Sequence, residues 1–78
     1  MSKLPQVSGK DTINALQKIG FNMVSQKGSH VKMVRKMNNQ NQTLIIPIHK
    51  TLKKGTLRNG ILKPINLTVD QFVELLRK

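Results

Sequence analysis

Seventy-eight residues carrying 14 Lys+Arg against 3 Asp+Glu have a formal net charge of +11 and room for one small core. The absence of cysteine excludes a disulfide framework and any thiolate metal site, and fits a reducing, cytoplasmic setting. With two Phe and no Trp or Tyr, the composition argues against aromatic base-stacking platforms and for a polyanionic partner gripped through its backbone and shape.

Residues 1–6 read as a loose leader to a single domain spanning 1–78. Met1-Ser2-Lys3-Leu4-Pro5 lacks the apolar stretch of a signal peptide, and no apolar run approaches membrane length. A soluble, cytoplasmic protein without membrane association is expected. Ser8 offers a helix N-cap with Asp11 as its capping-box partner, and Ile13, Leu16 and Ile19, helped by Ala15, form the apolar stripe that Gly20 ends. Phe21 to Gln26 has strand composition, with Phe21 and Met23 on one face and Asn22 and Gln26 on the other. Lys27-Gly28 then supplies a tight turn into a second strand from about Ser29 to Met37.

Alternation along this second strand assigns Val31, Met33 and Met37 to the core face, together with an ill-fitting Arg35 that belongs near an edge. His30, Lys32, Val34 and Lys36 fall on the opposite, cationic face. Asn38 to Gln42 is an uncharged polar loop. Thr43 to Ile48 forms a third strand with Leu44, Ile46 and Ile48 packed inward, and Pro47 makes it an edge strand or ends it early. A short helix opening at Gly55 holds Leu57, Ile61 and Leu62, is weakened by Gly60 and is limited by Pro64. Thr68, with Gln71 as its box partner, caps a last helix whose stripe is Val69, Phe72, Val73 and Leu76. The class is therefore α+β: a three-stranded antiparallel sheet with helices packed on one face and the other face open.

Few chemistries survive this inventory. The acids Asp11, Asp70 and Glu74 belong to the helices, so neither a two-metal nuclease nor a carboxylate pair can be assembled, and two His without Cys or a nearby acid make a poor zinc site. No metal and no cofactor are expected. Ser29 and His30 are adjacent and no acid is at hand to orient the ring, so a Ser-His-Asp triad fails. One reaction needs neither metal nor carboxylate: cleavage of RNA by its own 2′-hydroxyl. There a neutral imidazole takes the proton and nearby cations stabilise charge on phosphorus. His30 is the candidate for that role, and Lys27, Lys32 and Lys50 are the candidate phosphate contacts. Gly28 serves by its backbone freedom, and Ser29 starts the strand. The alternative readings are a non-catalytic module that recognises A-form RNA and a basic interaction protein whose polyanion is an acidic partner.

Gly20-Phe21, Gln26-Lys27-Gly28-Ser29-His30, Pro47 with His49, and Lys54-Gly55-Thr56-Leu57-Arg58 with Ile61-Leu62 resemble the HicA (YcfA-like) toxins over about Ser8 to Phe72. The resemblance implies an mRNA interferase, an endoribonuclease toxin with a fold like a double-stranded-RNA-binding domain. It also implies His30 as the catalytic histidine and a HicB-type antitoxin that covers the site. Arg58-Asn59-Gly60-Ile61 departs from the family by one extra residue, and Pro64 falls where a helix would be expected to continue.

Overall fold

The computed structural model describes residues 4–77 and orders them as α1 (Gly9–Gln17), β1 (Asn22–Lys27), β2 (His30–Lys36), β3 (Asn41–Pro47), a π-helix (Thr56–Leu62), a 3₁₀ turn (Lys63–Ile65) and α2 (Val69–Arg77). The three strands form one antiparallel sheet in the order β1-β2-β3, so β2 is central and both neighbours are edges.

Local chemistry explains the helix starts. The Ser8 hydroxyl accepts the Asp11 N–H at 3.0 Å while the Asp11 carboxylate accepts the Ser8 N–H at 3.3 Å. Thr68 and Gln71 repeat this reciprocal box ahead of α2, at 3.1 and 3.0 Å. Each box satisfies donors that a helix N-terminus otherwise leaves open, and such a cap contributes about 1 kcal/mol. Thr12, fully buried, donates its hydroxyl to the Ser8 carbonyl at 3.0 Å.

The core lies between the sheet and the helices. Val31 and Met33 of β2 and Leu44 and Ile46 of β3 face inward, where they meet Leu16, Phe21, Leu57, Ile61, Leu62 and Phe72. Burying side chains of this kind contributes roughly 1.5–3 kcal/mol each. α1 packs on β3 and α2, and the π-helix packs on β3 and α2. The cover is incomplete over β1, none of whose six residues is buried.

Several expectations are corrected. Residues 1–3 of the expected leader lie outside the described residues, but Leu4 and Val7 are buried in the core, and the Val7 carbonyl accepts the Leu52 N–H at 2.8 Å. Met37 and Ile48, expected on the packed face, are exposed, each lying just past the end of its strand. Arg35 lies on the central strand and is half-buried. Its guanidinium stands 4.9 Å over the Phe21 ring and donates to the Gln42 side chain and to the Ile19 carbonyl, which makes an inward charge tolerable. Asn41 and Gln42 belong to β3 rather than to the loop.

The 58–61 stretch, where the resemblance implied one extra residue, runs on without a break. The segment is wound as a π-helix, and the Lys63 N–H reaches back five residues to the Arg58 carbonyl. A residue inserted into an α-helix produces this wider turn. Leu57, Ile61 and Leu62 are all buried by it, as the sequence implied. Pro64 does not stop the helical path, since it sits in the first turn of the 3₁₀ segment, where its missing N–H costs little.

Candidate functional site

β1 and β2 are joined by the two residues Gly28 and Ser29, with Lys27 and His30 as the pair that closes the hairpin. Gly28 has φ +59 while Ser29 keeps an ordinary negative φ, the pattern of a type II′ turn with glycine in its first central position. The Gln26 side-chain amide donates to the Gly28 carbonyl at 3.1 Å, and the Ile48 N–H donates to the Ser29 carbonyl at 2.6 Å. Ser29 thus lies in the turn, not in the strand. Its backbone ties the hairpin to the exit of β3.

His30 is the first residue of β2, exposed on the uncovered face of the sheet. Cross-strand pairing builds two rows there: Lys27–His30–Pro47, then Ser25–Lys32–Ile45. Directly paired residues hold their Cβ atoms about 4.5–5.5 Å apart, so the imidazole has an ammonium-bearing side chain beside it in its own row and another in the next. An open depression of about 500 Å³ is lined by Ser25, Lys27, His30, Lys32 and Ile45.

The placement of Ser25 and Lys27 depends on a bulge. Met23 pairs with Met33 and Ser25 pairs with Lys32, leaving Val24 as the extra residue of β1. In an unbulged ladder Ser25 would oppose Val31 on the helix-covered side. The one-residue shift turns Ser25 and Lys27 towards His30 and puts Gln26 on the other face, away from Asn22. Simple alternation had grouped Asn22 with Gln26, and the bulge separates them. No glycine or proline marks Val24, so nothing local in the sequence announces it.

The exit of β3 is held from the opposite side. The Gly9 N–H donates to the His49 carbonyl at 2.9 Å, which brings the start of α1 against Pro47, Ile48 and His49. His49 therefore contributes a backbone acceptor, with its side chain exposed. Lys50 is exposed in the bend that follows and does not line the depression, so of the three lysines expected around the imidazole only Lys27 and Lys32 do. Among the described residues no group of three or more His, Cys, Asp or Glu is placed to hold a metal ion.

Residues 9–67, which include every residue of this face, match the family model described as HicA toxin of bacterial toxin-antitoxin. The chain belongs to the HicA toxin family. It is thus the toxin of a toxin–antitoxin system, which implies a cognate antitoxin as partner. No curated protein and no solved structure matches the chain. The matched span of this HicA toxin holds the whole sheet and the π-helix, whereas α2 lies beyond it. Among the described residues of the toxin no helix is long and apolar enough to cross a membrane. Two residues that line the depression, Ser25 and Ile45, were not singled out from the sequence. Ile45 could have been found by asking which β3 residues alternate away from Leu44 and Ile46. Ser25 could not, because its face depends on the bulge.

Proposed function

We propose that this HicA toxin is a metal-independent endoribonuclease, an mRNA interferase, in which His30 is the general base. The observation that carries the reading is an exposed histidine at the mouth of an open depression, between Lys27 and Lys32, with no carboxylate lining it. The His30 imidazole removes the proton of a ribose 2′-hydroxyl, and the 2′-oxygen attacks the adjacent phosphorus. The P–O5′ bond breaks and the leaving 5′-oxygen takes up a proton. Lys27 and Lys32 hold the phosphate and stabilise the charge that builds on it. Gly28 and Ser29 set the backbone of the turn against the RNA strand, and Lys50 adds a contact to the RNA backbone further along. An α-β-β-β-α layout with one bare sheet face is compatible with recognition like that of a double-stranded-RNA-binding domain. A HicB-type antitoxin inhibits the toxin by covering this face.

The test is cleavage of an oligoribonucleotide by purified wild type and His30→Ala in EDTA. General-base catalysis is typically worth ~10²–10⁴-fold, and a loss of that size is expected with no change in circular dichroism or melting temperature. A 2′-deoxy nucleotide on the 5′ side of the cut should block the reaction. Undiminished cutting by His30→Ala would remove the assignment of His30, whereas wild type that binds the oligoribonucleotide without cutting it would leave the protein an RNA-binding module.

A further inference from the structure

The nucleotide whose 2′-hydroxyl reacts carries its base on C1′, one bond from C2′. A side chain that reaches this hydroxyl therefore brings the base of the same nucleotide onto the neighbouring surface. On this toxin that surface is the second row, Ser25–Lys32–Ile45, whose inner edge is two residues along β2 from His30. Two residues of strand rise about 6.6–6.8 Å, a step that a nucleobase spans.

Ile45 stands out there. The exposed large apolar side chains are Met23, Val24, Met37, Ile45 and Ile48, and among the described residues Ile45 alone of these lines the depression that contains His30. It is half exposed, at 50%, on a strand whose neighbours Leu44 and Ile46 serve the core on the other face. Ser25 and Ile45 both pair with Lys32, one from each side, so they flank it across the width of three strands, about 9–10 Å between the outer backbones. The row is thus a slot with a cationic floor, one aliphatic wall and one hydroxyl wall.

From this geometry we infer that the Ser25–Lys32–Ile45 row is a nucleobase subsite for the nucleotide immediately 5′ of the scissile phosphate, with the base laid on Ile45. This rests on the ribonuclease reading above. Ile45 offers van der Waals contact to the face of any base, and every base has such a face, so the contact is tolerant of sequence. The Ser25 hydroxyl, donor and acceptor at once, meets the base edge and supplies a mild preference. Lys32 directs its ammonium to the phosphate. One isolated aliphatic side chain ringed by two lysines and a serine is too small and too polar a patch to seat a protein segment by itself.

The experiment uses a short oligoribonucleotide that wild type cuts at one mapped bond. Its twin is abasic at the nucleotide 5′ of that bond but keeps the 2′-hydroxyl. Wild type should cut the abasic twin about 3- to 10-fold more slowly, the size of one modest apolar contact. Ile45→Ser should cut the intact substrate as slowly as wild type cuts the abasic one, with little further loss on the abasic twin, while Ile45→Leu restores the difference. The exposed position leaves folding intact, which melting temperature checks. If Ile45→Ser cuts both substrates at wild-type rates the subsite does not exist. If it does so and also loses antitoxin binding, the side chain belongs to a protein contact. Cutting by His30→Ala at the wild-type rate would overturn the general-base assignment instead, and wild type that cuts no oligoribonucleotide would overturn the ribonuclease reading, so these failures are distinguishable from that of the subsite.

Discussion

At Gly9 the packing leaves no room for a side chain. A Cβ there would stand 2.0 Å from the Pro47 carbonyl oxygen and 2.9 Å from the Ile48 Cα, both backbone atoms that cannot swing aside. Gly9→Ala should destabilise by at least about 2 kcal/mol, the scale of forced overpacking, and lower the melting temperature by roughly 10 °C. An unchanged melting curve would show that α1 can withdraw from the β3 exit without cost. Gly28 is the opposite case: an added Cβ meets nothing within 4 Å, and only φ +59 opposes it, at about 1–2 kcal/mol. The need for Gly28 could be read from its place between two strand-like runs. That for Gly9 could not, because it comes from a contact about forty residues away in the chain. His30 was readable for a similar local reason: alternation with Val31 and Met33 put it on the outer face, where it is found. Arg35 obeyed the same alternation, but its partners come from the α1–β1 connection (Phe21 and the Ile19 carbonyl) and from β3 (Gln42), and were out of reach of a one-strand reading.

Among the elements, the π-helix has the most instructive spacing. Leu57, Ile61 and Leu62 stand four and five residues apart, which suits i→i+5 winding and would splay the third side chain on an α-helix. Removing Gly60, which is exposed and meets nothing, resets the spacing to three and four, the α-helical stripe. The expected result for ΔGly60 is a folded protein with more α-helical circular dichroism and a melting temperature at or above wild type, since glycine costs a helix interior about 1 kcal/mol. Loss of the cooperative transition would mean that the wider turn is itself needed for packing. The helix starts were legible because capping boxes are written in adjacent residues, as at Ser8–Asp11 and Thr68–Gln71. Strand faces were legible only where cover is complete. Val31, Met33, Leu44 and Ile46 were assigned as they are found, whereas Met37 and Ile48 were not, since period-two patterning states which side a residue faces and not how fully that side is covered.

For the molecule as a whole, the acids are confined to two helices while the bases are spread over every layer. Asp11, Asp70 and Glu74 belong to α1 and α2, and the sequence from residue 12 to residue 69 contains no acid at all. Binding of a 2′-deoxy oligonucleotide, which the proposed reaction could not consume, should therefore weaken steeply with salt. The double variant Lys27→Gln/Lys32→Gln should reduce the slope of log K against log salt by about 1.4, at roughly 0.7 per single-strand phosphate released. An unaltered slope would mean that neither ammonium touches the nucleic acid. The charge excess was plain in the composition, while the grouping of two lysines with the imidazole, and the exclusion of Lys50 from it, required the hairpin and its bulge.

The sheet and the π-helix, acid-free over 58 consecutive residues, have no internal counter-charge to lay over the hairpin. Whatever quenches that potential arrives from a second molecule. A carboxylate-rich strand or loop presented to Lys27 and Lys32 would meet no rival from within the toxin's own sheet, so muting can be swift to form and strongly dependent on ionic strength.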